Sequence, residues 1–205
     1  MNYDLTIILS SALFWIYIDS VKLVSNERVI NSAFIHACIS GIGNSVGLVM
    51  YPMIVYDYYR IAENVPPFIS TIALISFGYS FYDLYIGVQT KKMDILHGFI
   101  FVSSYITAYY YNVLSMPSIT MITEISSIFL NFRPYKKKWI DIAFVLTFFI
   151  YIILSPTFLV ICIMNSNNSF SLRLIVLFET VLLVPLNVYW FSLIMKKMLN
   201  KKNEI

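Results

Sequence analysis

The chain has 205 residues, 59% of them hydrophobic and only 12% charged, with a mean hydropathy of +0.76 and a formal net charge of +3. A soluble domain carries about a quarter charged residues, so this balance excludes one and points to an integral membrane protein. Nucleic-acid binding is excluded too, because Lys and Arg fall in short clusters between apolar runs instead of on a stripe with interleaved aromatics.

Stretches such as 140–164 are apolar on every face, whereas a β-barrel strand alternates with period two, so the spans are helical. The first, 5–19, follows Asp4 and lacks the basic start and small-residue cleavage site of a signal peptide, so it is expected to stay as an anchor. The second, 29–55, carries Ser32, His36, Ser40, Gly43 and Gly47 along one face, and Gly43 to Gly47 is a GxxxG that permits close helix approach. The third, 67–88, opens after Pro66-Pro67 and has Ser76, Tyr79, Ser80 and Asp83 as a comparable stripe. The fourth, 95–114, contains His97. The fifth, 115–132, starts at Ser115-Met116-Pro117 and sets Glu124, Ser127, Ile128 and Asn131 at i, i+3, i+4, i+7, one polar stripe in an apolar helix that ends at Arg133. Spans 139–164 and 172–195 flank the Asn165-Ser166-Asn167-Asn168-Ser169 loop. The expectation is an all-α, multi-pass transmembrane bundle of six to seven spans, without repeats or a linker long enough to divide it.

Charge asymmetry selects seven. With seven crossings, twelve of the fourteen Lys and Arg share one side, and only Arg60 and Arg173 fall on the other. Basic residues accumulate on the cytoplasmic side of short loops, so the N terminus is expected to face the lumen and the C terminus the cytosol.

Depth below that basic boundary follows from the helical rise. His36 is eight residues past Arg28 and Asp83 eight before Lys91, each roughly 12 Å in. His97 is roughly 8 Å in, and Glu124 and Asn187 roughly 14 Å. Five polar groups from five spans therefore share a layer. Facing lipid they would cost several kcal/mol, so they are expected to turn inward and line a polar, cytoplasm-facing pocket.

Each group also has a structural reading. A lone His on an apolar helix, such as His36, is commonly a packed and hydrogen-bonded interior residue. His97 has that reading and a functional one. Asp83 and Glu124 can be counter-ions that fix helix register, and Asn131 and Arg133 an end-of-helix cap and a snorkelling anchor. Tyr56, Tyr58 and Tyr59, like Tyr109, Tyr110 and Tyr111, read as an interfacial belt, and Lys136-Lys137-Lys138 as a positive-inside determinant or a contact for anionic headgroups. Cys38 and Cys162 have no second Cys or His at ligand spacing, so neither a disulfide framework nor a metal site is indicated. Gly41-Ile42-Gly43 lacks the rest of a dinucleotide-binding GxGxxG.

Several stretches, in order, resemble the TLC-domain family of membrane-lipid proteins, which includes the ceramide synthases. They are Arg28-Val29-Ile30-Asn31-Ser32 leading into His36-Ala37, then Tyr82-Asp83-Leu84, then Asp94-Ile95-Leu96-His97, then the segment from Glu124 to Arg133, and Pro185-Leu186-Asn187-Val188-Tyr189-Trp190-Phe191. The resemblance implies an N-terminal anchor span over 1–24, a TLC-like helical bundle over 25–200 and a cytoplasmic tail over 201–205. Ceramide synthases carry adjacent histidines where this chain has His97-Gly98, and paired aspartates where it has the Glu124 to Arg133 segment. The chain is therefore more similar to family members tied to membrane lipid composition and trafficking.

Two readings of function follow. In the first, the pocket, with His36, Tyr82, Asn131, Arg133 and Asn187 among its residues, binds or handles membrane lipid in lipid homeostasis or trafficking, without a cofactor. In the second, a ceramide-synthase-like acyltransferase takes acyl-CoA as co-substrate. His97 is then the general base, Asp83 or Glu124 orients it, and Asn131 or Tyr82 polarises the thioester carbonyl. That chemistry requires His97 within hydrogen-bond reach of a carboxylate and a groove for an acyl chain. Solute transport is disfavoured because no paired interrupted helices recur in matching halves, although Pro156 and Pro185 can kink two spans. Endoplasmic reticulum residence rests on the resemblance, since the lysines of Lys201-Lys202-Asn203-Glu204-Ile205 stand one position too far from the end for a dilysine signal. Whether the protein forms a homo- or hetero-oligomer is not written in any residue pattern.

Overall fold

A computed structural model describes residues 3–20, 32–51, 66–89, 92–114, 117, 120–154, 160, 164 and 169–200. The basic residues Lys22, Arg28, Lys91, Lys201 and Lys202, the tyrosines at 56, 58 and 59, Cys162, and most of the 165–169 loop lie outside them. All regular structure among the described residues is helical, in seven rods. They are α1 (Tyr3–Ser20), α2 (Ser32–Met50), α3 (Pro67–Gln89), α4 (Lys92–Tyr110), α5 (Glu124–Phe132), α6 (Lys138–Thr147) and α7 (Phe170–Asn200). Three of them, Ser32–Met50, Pro67–Gln89 and the Phe170–Lys196 part of α7, are long and apolar enough to cross a membrane.

The interior is mainly apolar, with a set of small polar side chains buried among it, and the outer surface carries large apolar side chains that a soluble protein would bury. Ser11, Ser32, His36, Ser40, Asn44, Ser76, Ser80, Ser126 and Asn187 are buried, while Leu13, Phe14, Val49, Phe99, Phe178 and Val181 are exposed. Side-chain pairs fix the direction of each rod. Ser11 donates to the Ile75 carbonyl and Trp15 stands edge-on to Tyr79, so α1 and α3 run parallel. Ser32 meets Tyr82 and Ser40 meets Ser76, so α2 opposes α3. Phe34 meets Phe132 while Gly41 meets Glu124 and Ile125, so α5 opposes α2. His97 meets Trp190 and Ser104 meets Glu179, so α7 opposes α4. Consecutive rods thus alternate in direction.

Two rods widen into π-helix, at Cys38–Ile42 within α2 and at Phe148–Leu154 continuing α6. A π-turn loosens the backbone ladder, and here side chains take up the loosened carbonyls. Asn44 donates to the Ser40 carbonyl at 2.8 Å and Ser45 to that of Gly41 at 2.7 Å. In α6 the Asn187 amide reaches the Ile152 carbonyl at 3.3 Å. Single residues in the left-handed region close two helix ends, Asn112 (φ 60°) after α4 and Lys136 (φ 54°) in the α5–α6 turn.

Glycines set how closely the rods approach. A Cβ at Gly78 would stand 2.5 Å from both the Ile8 carbonyl oxygen and Ser11 Cβ, and one at Gly41 would stand 2.9 Å from the Ile125 nitrogen. The GxxxG pair behaves differently, since Gly43 and Gly47 face the side-chain ends of Ile72 and Ile69. Backbone cannot retreat as a flexible side chain can. Gly78→Ala is therefore expected to destabilise the detergent-solubilised protein by about 1–3 kcal/mol, and Gly43→Ala by clearly less, as read from their thermal unfolding midpoints. Equal midpoints for the two variants would contradict this packing.

Candidate functional site

A cavity of about 290 Å³ lies between α4 and α7 on one side and α5 and α6 on the other. It follows the helices lengthwise. Along α4 its wall runs from His97 to Ala108, about 16 Å at the helical rise, and along α7 from Val176 to Trp190, about 21 Å. The shape is a narrow channel, near the small end of ligand cavities. Its lining is chiefly apolar and aromatic, with Phe101, Tyr105, Met121, Phe144, Phe148 and Leu183 prominent, and no Lys or Arg among the described lining residues.

Carboxylates enter at two levels, beside threonine hydroxyls at Thr107, Thr120 and Thr123. At one end stand His97, Glu124, Ser127 and Asn187. His97 Nδ1 lies 3.3 Å from Asp83 Oδ2, across the α3–α4 hairpin, and both side chains are partly buried. A carboxylate oxygen accepts hydrogen bonds, so in this pair the imidazole Nδ1–H is the donor to Asp83 and Nε2 is left toward the cavity side chains. Phe101 and Trp190 hold the ring, at 4.4 Å and 5.2 Å between centroids. Glu124 is within electrostatic range of His97 and Asp83. Some two-thirds of the way or more from the His97 end, Glu179 of α7 accepts from Ser103 at 3.0 Å and Ser104 at 2.8 Å, one hydroxyl to each carboxyl oxygen.

The residues expected to share one pocket divide into three groups. His97, Glu124 and Asn187 line the cavity, and Asp83 reaches it through His97. His36 and Tyr82 belong instead to a separate network between α1, α2 and α3. There His36, 2% exposed, stacks on Tyr79 at 3.7 Å and bonds Ser76 at 3.2 Å, while Tyr82 bonds Ser32 at 2.8 Å. Asn131 and Arg133 are turned to the end of α5. Asn131 donates to the Ser127 carbonyl at 2.8 Å, and Arg133 donates to Asp141 at 2.9 Å beside the Phe144 ring. Depth along a helix is readable from the basic boundary, but the direction a side chain faces is set by neighbours the sequence does not name.

Glu179 and Trp190 are lining residues not singled out from the sequence. A signal for the first was available: between Arg173 and Lys196, Glu179 is the one charged residue, and Ser103-Ser104 is a hydroxyl doublet in an apolar run. Among the described residues no three His, Cys, Asp or Glu side chains gather as metal ligands.

Comparison with known families identifies the chain. Residues 26–196 match the TLC domain, so the chain belongs to the TLC-domain family. Its membrane-spanning helices and this domain together fit an integral membrane protein with a membrane-lipid-related function. Searches of curated proteins and of solved structures gave no match.

The Arg133–Asp141 pair joins α5 to α6, and Arg133 reaches the cavity only through the ring of the lining residue Phe144, so its contribution is expected to be to stability. A double-mutant cycle with Arg133→Ala and Asp141→Ala is expected to give a coupling of about 1 kcal/mol with the co-purifying lipid unchanged. A change in bound lipid on Arg133→Ala would place that residue in the site after all.

Proposed function

We propose that this protein binds a single-chain portion of a membrane lipid in the α4–α7 cavity, its polar head at His97, Glu124 and Ser127 and its tail toward Ala108, and so serves lipid homeostasis or trafficking. The observation that carries the reading is the cavity itself: long, narrow, apolar over most of its wall, and polar at one end. Apolar wall gains by holding hydrocarbon, and the volume suits one chain better than two. The alternating rods support seven crossings, and the twelve-to-two division of basic residues supports a lumenal N terminus and cytosolic C terminus. Residence in the endoplasmic reticulum is part of the same proposal.

A place outside the ceramide-synthase branch has a steric argument. A Cβ at Gly98 would lie 2.7 Å from Leu84 Cα, so a second histidine after His97 would drive into the α3 backbone.

Acyl transfer is the second reading, favoured by the His97–Asp83 bond. Nε2 would take a proton from an amine or hydroxyl as that nucleophile attacks a thioester carbonyl carbon, and the proton would pass to the departing thiolate. Against it, Asn131 and Tyr82, the residues expected to polarise the carbonyl, bond Ser127 and Ser32. Binding is thus the better supported of the two.

Native mass spectrometry of the purified protein separates them. The wild type is expected to carry one monoacyl-sized lipid, and Ala108→Phe, which fills the apolar end, to lose at least about 90% of it, more than 1.4 kcal/mol of binding. With acyl-CoA and a long-chain amine added, no N-acyl product is expected. A product that disappears in His97→Ala would install the acyltransferase reading instead.

A further inference from the structure

A channel that merely held a hydrocarbon tail would gain nothing from a carboxylate in the wall alongside it. Yet Glu179 faces the cavity there, beside Thr180 and Ser104. Desolvating a carboxyl group inside a bilayer costs several kcal/mol unless partners offset it. Ser103 and Ser104 supply two, at 3.0 and 2.8 Å, and both come from α4, so the carboxyl group is fixed by the neighbouring helix on the same side of the channel. Each carboxyl oxygen has two lone-pair directions, and each serine occupies one. Acceptor capacity therefore remains on a group anchored from behind and bordering the cavity. Thr180 adds none of its donor, because its hydroxyl is spent on the Val176 carbonyl at 2.8 Å.

The height of this group matters as much as its chemistry. Along α4, Ser104 is seven residues from His97, and along α7, Glu179 is eight from Asn187, which puts the station roughly 10–12 Å from the polar end. That is mid-chain for a long acyl tail whose head rests at His97.

We propose that Glu179, held by Ser103 and Ser104, is a recognition station for a hydroxyl carried in the middle of the acyl chain, so that the cavity selects mid-chain hydroxylated lipids over unsubstituted ones. The inference rests on the lipid-binding reading above and names the ligand class of that cavity. The ligand hydroxyl donates to a Glu179 oxygen. An unsubstituted chain leaves that acceptor facing methylene groups and loses the bond without regaining water.

The test is competition for the detergent-purified full chain among three neutral monoglycerides with octadecanoyl chains: unsubstituted, hydroxylated at mid-chain, and hydroxylated next to the ester. Bound species are counted by native mass spectrometry. The wild type is expected to take the mid-chain isomer on the order of tenfold over the other two. Glu179→Gln keeps a carbonyl acceptor and should retain most of that preference. Glu179→Leu should erase or reverse it while still binding the unsubstituted lipid. Equal capture of all three by the wild type overturns the station and leaves the channel reading standing, as does a preference that survives Glu179→Leu. Failure of the wild type to bind any of the three overturns both.

Discussion

A bilayer interior offers no water, so every polar group placed there must find its partner within the protein. Most of the polar geometry of this chain follows from that constraint. Ser11, Ser76, Ser40 and Asn44 link to backbone or to one another across α1, α2 and α3. Arg133 meets Asp141, and Asn187 meets the carbonyl of Ile152. Where these pairings involve residues on facing rods they also fix register, which uniform apolar packing leaves loose. Around a core that is itself mainly apolar, further large apolar side chains turn outward in numbers no soluble protein would tolerate.

The same constraint separates the two polar regions. The network around His36 is closed: its ring is stacked, bonded and screened from the cavity by its own neighbours. The group around His97 is open on one side, because the cavity occupies the place where another rod would otherwise pack. An interior histidine and a histidine at a cavity wall thus sit at similar heights and have different physical circumstances. The first holds three helices together. The second is bonded to Asp83 and lines the same cavity as Glu124.

Much of the helical layout was legible in the residues. The expected span 67–88 corresponds to α3, Pro67–Gln89, because Pro66-Pro67 and the polar end bracket it. The 5–19 span falls within α1, Tyr3–Ser20, for similar reasons. Within the span expected at 115–132, Pro117 and Thr120 are helical and a tighter 3-10 turn at Met121–Thr123 leads into α5 at Glu124. The π-segments in α2 and α6 were not legible, since no periodicity marks one extra residue in an apolar run. Of the site, His97 with Asp83 was foreseeable from depth, and so were Glu124 and Asn187. Their separation from His36, and the clamping of Glu179 by two serines, depend on how rods rotate about their own axes. Rotation is decided by contacts such as Gly78 against Ile8 and Gly98 against Leu84, which a single sequence does not pair.

The central claim is that hydrocarbon occupies the space between α4 and α7, with its polar end at His97. Photo-crosslinking tests it most directly, using a monoglyceride with a diazirine at the tail end and mapping the adducts by peptide sequencing. Adducts on Ala108, Thr107 and Val176, at the apolar end of the cavity, are the predicted result. Adducts confined to outward residues such as Leu13, Phe99 and Phe178, with none in the cavity wall, would contradict it.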